Sequence, residues 1–271
     1  MGQPPLAPPS GRPVPVSNIP VGRAEAHPTG PLILRVAGLD DVPLAAAVAP
    51  ERVVWVEIPL HLAQEPWPPG MPLDIIVTDP HTEAPGLHAL SRVRHDHPLR
   101  VTIPVVPGVA RAGRVAMALQ LPVRLLPWQP SAEALAEVDQ VLDIYLHDPQ
   151  TVAPVQFFQS ALAHWLHGDP TTLWQSLEQD PAYYPRFGPG LEDPASNAPP
   201  RDPAFATGRL ARLVEDGGEC ASCRFRDVCG GYFKWPDASY SCAPVLPLLA
   251  RLEEAAAQVA RDLSEADAIE P

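Results

Sequence analysis

The chain has few basic residues and no long apolar run, and each shortage excludes a class of protein. Nineteen Lys and Arg stand against 32 Asp and Glu, which gives a formal net charge of -13. Nucleic-acid phosphates are bound by clustered positive charge, so we expect no nucleic-acid partner. No apolar run is long enough to cross a bilayer, and no charged-then-apolar signal segment opens the sequence. We therefore expect a cytoplasmic protein with no membrane partner.

Proline is abundant and divides the chain into segments. It supplies 38 of 271 residues, whereas about 5% is usual, and it interrupts helices and strands. Residues 1–30 are Pro-rich without a hydrophobic period, which predicts a disordered arm. Residues 181–205 contain seven prolines and predict a linker. We expect one domain at 31–180 and a second unit at 206–271.

Five short apolar segments in the first domain favour strands. They occupy residues 31–39, 51–60, 73–79, 99–108 and 121–127. Helix-compatible sequence separates them, and this alternation predicts βαβ units with a parallel sheet. Because a complete eight-stranded barrel typically needs ~250 residues, the prediction is an α/β fold with a truncated or partial parallel-sheet barrel.

Helical patterns dominate the rest of the chain. Residues 131–148 fit a helix that begins after Ser131 as N-cap, although the end of this segment also fits a strand. Residues 154–180 read as helical on both sides of a Gly and Pro break. Residues 244–263 predict a terminal helix that docks on the body.

All four cysteines lie in one segment, with the spacing Cys220-x2-Cys223-x5-Cys229-x12-Cys242. In a reducing compartment, such a cluster favours metal binding over disulfide bonds. A C-x2-C turn directs two sulfurs at one metal, and two later cysteines complete a tetrahedral set. One [4Fe-4S] cluster and a Zn²⁺ ion both accept four thiolates, so the ligand count leaves both open.

The residues around the cysteines favour the iron–sulfur cluster. Gly230 and Gly231 follow Cys229 directly, and glycine lets backbone N–H groups approach inorganic sulfide closely. Zinc ribbons usually have a second C-x2-C pair, which is absent from this segment. A wall of aromatic side chains would shield a redox centre from water: Tyr232, Phe233, Trp235 and Tyr240.

The stretch "CASCRFRDVCGG" resembles the SPASM module, or its shorter twitch relative, of radical S-adenosylmethionine (SAM) enzymes. The C-x2-C-x5-C core of these modules, often followed by glycines, matches Cys220, Cys223 and Cys229. The family pattern often continues with x3-C, where this chain has Phe233. The resemblance implies Cys242 as fourth ligand of a single cluster. It covers about residues 31–245 and implies a radical SAM-like partial barrel followed by the Cys-rich module and the terminal helix.

The radical-generating cluster of that family requires C-x3-C-x2-C after the first strand, and this sequence has no cysteine before Cys220. We therefore expect no S-adenosylmethionine cofactor. The resemblance then implies an accessory protein in a heterodimer with a true radical SAM maturase subunit. Many enzymes of the family modify ribosomally made peptides (RiPPs). The chain would transfer electrons, bind the precursor peptide or assemble the complex.

Two other functions stay open at this point. One is a zinc-stabilised binding or scaffold module without redox chemistry. The other is an enzyme that uses acidic and His residues near strand ends, namely Glu57, Asp79 and His81. Glu57 stands inside an apolar strand, and the other two follow a buried strand, where α/β active sites lie.

Overall fold

The computed structural model describes residues 14–27, 29–187 and 202–267, and its centre is a six-stranded sheet. Every neighbouring pair of strands is parallel, and the order across the sheet is the order along the chain. The strands are β1 (Ser17–Pro20), β2 (Leu32–Arg35), β3 (Val53–Pro59), β4 (Leu73–Ile76), β5 (Leu99–Pro104) and β6 (Val123–Leu126). The predicted α/β fold with a parallel sheet is therefore confirmed.

Eleven α-helices occur in the described residues, four of them before β6 and seven after it. They are α1 (Val42–Ala46), α2 (Pro80–Glu83), α3 (Leu90–Val93), α4 (Val109–Ala118), α5 (Ala132–His147), α6 (Gln156–His167), α7 (Leu173–Ser176), α8 (Phe205–Glu215), α9 (Glu219–Ser222), α10 (Arg226–Cys229) and α11 (Leu246–Asp267). The hydroxyl of Ser131 accepts the N–H of Ala134 and caps α5 as predicted. The end of this segment is helical, so the alternative strand does not form.

The strands are buried on both faces, but the two faces differ in polarity. Leu73 and Ile75 of β4 point to one side and are fully buried in the apolar core. Asp74 between them is also fully buried and lies opposite Arg100 of β5 in the strand register. Thr102 of β5 lies opposite an Arg of β6 in the same way. One face of the sheet therefore carries polar and charged side chains that have no access to bulk water.

A further segment attaches to each edge of the sheet by a single parallel bridge. Arg186 bridges Asn18 of β1, and Val155 bridges Val123 of β6. The N–H of Phe187 donates to the Asn18 carbonyl across 2.8 Å. The start of the predicted linker at 181–205 is thus held against β1, while its residues 188–201 lie outside the described residues.

The sheet begins earlier than the sequence pattern indicates. Strand β1 lies inside the segment predicted as a disordered arm, and its Ile19 is fully buried. The four residues "SNIP" are too short to show a hydrophobic period, and prolines surround them. Of that predicted arm, residues 1–13 and 28 lie outside the described residues.

The C-terminal unit packs on the α/β body through α11. This helix lies against α6 and α5, and Leu248, Leu249 and Leu252 on its buried side join the main core. The cysteine segment lies between α8 and α11 and is therefore held at both ends.

Candidate functional site

The four cysteines lie in the short helices and turns before α11. Cys220 is in α9 and Cys223 directly follows that helix, Cys229 ends α10, and Cys242 precedes α11. All four thiols are free of disulfide bonds; Cys220 is buried and the other three are half-buried. The Cys220 thiol interacts electrostatically with each of the other three. The predicted ligands therefore share one neighbourhood.

The thiols are neighbours without converging on one point. In the described part of the chain, no three His, Cys, Asp or Glu side chains are placed to hold a single metal ion. Four thiolates around one zinc would be only about 3.8 Å apart, given a tetrahedral site and Zn–S bonds of ~2.3 Å. In a [4Fe-4S] cluster each thiolate binds a different iron, so the sulfurs lie farther apart.

The turn after Cys229 directs backbone N–H groups at its thiol. Gly230 and Gly231 both have positive φ, at 61° and 74°, which reverses the chain after α10. The backbone N–H groups of Gly231, Tyr232 and Phe233 then act on the thiol and lower its pKa against the effect of burial. Three converging N–H groups stabilise a thiolate, as a metal ligand requires.

Burial opposes ionisation of the metal-free thiols. It raises the pKa of Cys229 to about 11, although the three N–H groups act in the opposite direction. It raises the pKa of Cys242 to about 12, against the effect of the nearby Lys234 ammonium. Both thiols are thus protonated at neutral pH in the absence of metal. A metal that binds there displaces these protons.

An ion pair between a buried lysine and a half-exposed glutamate joins the two ends of the cysteine segment. Lys234 is only 5% exposed, and its Nζ lies 2.6 Å from Oε2 of Glu219. Nζ also donates to the carbonyl of Tyr240. The Glu219 carboxylate precedes Cys220 in sequence and accepts the N–H of Cys242 across 3.0 Å. The first and last predicted ligands are therefore tied through one carboxylate.

Aromatic side chains fasten the cysteine segment to the body. The rings of Trp174 and Tyr232 contact edge to face with centroids 5.0 Å apart. Nε1 of Trp174 donates to the Gly230 carbonyl across 2.9 Å. Tyr232 and Phe233 of the predicted wall are fully buried, and its other two members are half-buried. Cys223, Cys229 and Cys242 pack against the same core as these rings.

Glu57 lies elsewhere, in a buried ion cluster on the polar face of the sheet. Its carboxylate accepts hydrogen bonds from Asn18 at 3.2 Å, Arg124 at 3.3 Å and Arg186 at 3.5 Å. The ion cluster consists of Glu57, Asp74, Arg100, Arg124, Glu178 and Arg186. It borders a cavity of about 130 Å³.

The charges of this cluster keep Glu57 ionised. Burial alone raises the pKa of Glu57, but the guanidinium groups of Arg186 and Arg124 outweigh burial and the pKa is lowered. Glu178 has a lowered pKa for the same reason, since Arg100 and Arg124 outweigh burial. A carboxylate held in this way is a weak base, which favours a structural role for Glu57.

Asp79 and His81 lie apart from Glu57. The Asp79 carboxylate caps α2 by accepting the N–H of His81 at 2.9 Å and the Thr82 hydroxyl at 2.8 Å. Asp79 is exposed, and His81 borders an open groove next to Gly108. The three side chains considered as a catalytic set therefore occupy two separate places, since Glu57 borders the inner cavity.

Sequence reasoning missed the arginines of the ion cluster and the Lys234–Glu219 pair. One signal was present, because Arg100 and Arg124 stand inside apolar strands, where a charge requires a partner. Lys234 carried a similar signal, because it stands between Phe233 and Trp235, whereas Glu219 stands in polar sequence and gave none.

Comparison of the chain with protein-family models, with curated proteins and with solved structures found no match. Among the described residues, no helix combines the length and the apolar character that a bilayer span requires.

Proposed function

We propose that this chain is an accessory iron–sulfur protein that acts beside a radical SAM maturase subunit in ribosomal peptide maturation. Cys220, Cys223, Cys229 and Cys242 would hold one [4Fe-4S] cluster. The observation that carries the proposal is the turn at Cys229, where Gly230 and Gly231 have positive φ and the N–H groups of Gly231, Tyr232 and Phe233 lower the pKa of the thiol. A cluster bound there supplies one-electron transfer.

The α/β body supports the accessory role. The strands follow one another in chain order, and segments at 155 and 186 bridge the two edge strands, as a partial barrel of the radical SAM type would require. The chain has no cysteine before Cys220 to hold a radical-generating cluster. The interior of the body holds the neutralised ion cluster, which favours a scaffold over S-adenosylmethionine chemistry.

The residues of the cysteine segment have separate tasks in this proposal. The thiolates hold the cluster, and the N–H groups after Cys229 stabilise their negative charge. Tyr232 and Phe233 exclude water from the inner side. Cys223 and Cys242 are half-buried and flanked by the exposed residues Arg224 and Ser241, so a partner can approach from that side.

Anaerobic purification followed by a visible spectrum and by iron, sulfide and zinc analysis tests the proposal. We expect a brown protein with about four irons per chain, and loss of the colour in Cys229→Ser. Ser222→Ala, an exposed change in the same segment, is the matched control and should keep the colour. A colourless protein with one zinc per chain would overturn the redox function and leave a zinc-stabilised binding module.

Peptide and partner binding form a separate test of the accessory role. The chain would be co-expressed with radical SAM maturases of the SPASM type and their precursor peptides, and complexes would be sought by size-exclusion chromatography. A stable heterodimer that raises the turnover of the maturase supports the role. Binding to neither maturase nor peptide contradicts it, even when the cluster is present.

A further inference from the structure

Lys234 is a buried cation beside Cys220 and Cys242, because its Nζ lies 2.6 Å from the Glu219 oxygen that also accepts the Cys242 N–H. Its side chain is 7% exposed, and burial of an ammonium is costly unless it is paired and hydrogen-bonded. It interacts electrostatically with the thiols of Cys220 and Cys242. One partner carboxylate, on Glu219, is 47% exposed. Water therefore screens the Glu219 charge more strongly than the charge of Lys234, which leaves a net positive field at the thiols.

We propose that Lys234 is a positioning residue that offsets the negative charge of the metal-bound thiolates and sets the reduction potential of the cluster. This inference rests on the proposed iron–sulfur function. A [4Fe-4S] cluster with four thiolates is anionic, and one-electron reduction adds a further negative charge. A fixed cation stabilises the reduced form more than the oxidised form, so it raises the potential.

The geometry gives Lys234 a second effect on the same site. Its partner Glu219 stands one position before Cys220 and also accepts the Cys242 N–H at 3.0 Å. The Ser241 hydroxyl donates to the other carboxylate oxygen at 3.2 Å. Lys234 thus holds the carboxylate that brings the first and last ligands together.

Arg209 is the other cation that acts on Cys220. Its guanidinium stacks 5.0 Å from the centroid of the Trp235 ring and donates to the Lys234 carbonyl. Lys234 acts on the Cys242 thiol and lowers its pKa against the effect of burial. Lys234 is therefore a cation that acts at both ends of the ligand set.

A redox titration of the anaerobic full-length protein tests the role of Lys234. Removal of the cation in Lys234→Met should make one-electron reduction about tenfold less favourable, a fall of about 59 mV in midpoint potential. Lys234→Arg keeps the charge and should restore most of the potential. An unchanged potential in Lys234→Met with an intact cluster overturns the inference but leaves the proposed function in place.

The variant Glu219→Gln tests the electrostatic effect on the potential independently, because Lys234 stays in place. Loss of a negative charge beside the cluster should raise the potential, opposite to the effect of Lys234→Met. Because Glu219 is half-exposed, the variant should fold, and it decides the matter if Lys234→Met is unstable. A potential that falls or does not move in Glu219→Gln counts against an electrostatic role.

If the protein binds zinc, competition with a chelator measures its zinc affinity instead of a potential. Lys234→Met should then weaken zinc binding about tenfold, because the zinc-bound thiolates also carry net negative charge. That result would support the role of Lys234 while overturning the iron–sulfur function. Unchanged zinc affinity in Lys234→Met overturns the role of Lys234 as well as the iron–sulfur function. A chain that binds neither iron nor zinc also overturns both.

Discussion

The hydroxyl of Tyr232 donates a hydrogen bond to Oε1 of Gln179 across 3.1 Å, and both residues are buried. The backbone N–H of the same tyrosine lowers the pKa of the Cys229 thiol. Gln179 borders the cavity that Glu57 also lines. One side chain therefore connects the cysteine segment to the polar interior of the α/β body. A substitution that disorders the cysteine segment should therefore also disorder the polar interior of the α/β body, and the reverse should hold.

Tyr232→Phe should lower the free energy of unfolding by about 1 kcal/mol, because one buried hydrogen bond is lost. The loss stays modest since Nε1 of Trp128 still donates to the same Gln179 oxygen. The backbone N–H groups at Cys229 are unaffected, so the visible spectrum should not change. Urea unfolding followed by far-UV circular dichroism measures the first effect, and a bleached spectrum would contradict the second.

Gly230→Ala should destabilise the protein and reduce metal content. The residue has φ of 61°, and a Cβ there would lie 3.1 Å from Cβ of Thr172 and from Cδ1 of Trp174. A non-glycine residue in this conformation costs on the order of 1–3 kcal/mol before any displacement of the ring. Thermal unfolding and metal analysis measure both effects.

Gly208 in α8 provides the matched control for that substitution, because a Cβ there would meet no atom within 4 Å. Gly208→Ala should be neutral or stabilising by up to ~1 kcal/mol. If both alanine variants behaved alike, the left-handed turn after Cys229 would not be the cause of the loss.

Metal removal should unfold the cysteine segment locally and leave the sheet intact. The segment from α9 to Cys242 contains short helices of four residues, which are not stable by themselves. The sheet has its own apolar core on the side of Leu73 and Ile75. Hydrogen exchange after chelation should therefore accelerate in the cysteine segment and stay slow in β4. Equal acceleration in both would show that the two units unfold together.

The sequence predicted what depends on neighbouring residues and missed what depends on distant ones. Continuous apolar runs predicted the strands β4 and β5, and Ser131 predicted the start of α5, because each signal is complete within a few residues. The spacing of the four cysteines predicted a metal site in the same way, and that site stays a prediction. Strand β1 was missed because its four residues are too few to show a hydrophobic period, and its pairing with β2 and with Arg186 appears only in the fold.

The ion cluster shows the same limit at the level of side chains. Glu57, Arg124 and Arg186 come from three distant segments, and only the parallel register of the sheet brings them together. An isolated Glu in an apolar strand fits a catalytic base and a paired structural carboxylate equally well. The pairing of Glu57 with Arg124 and Arg186 favours the structural carboxylate, and only the fold shows this pairing.

Glu57→Gln should be strongly destabilising at neutral pH and much less so in acid. Removal of the Glu57 charge leaves the three guanidinium groups of the ion cluster with two carboxylates, Asp74 and Glu178. One buried positive charge is then uncompensated, which costs on the order of 3–5 kcal/mol. The folded-state pKa of Glu57 is lowered, so its contribution is fully present above the unfolded value of ~4.3 and is lost as pH falls through the folded value. The wild type should therefore lose stability on acidification below ~4.3, and the variant should lose less. Urea unfolding at neutral and acidic pH measures the difference between the two proteins, and a difference that did not shrink in acid would contradict an ionised Glu57.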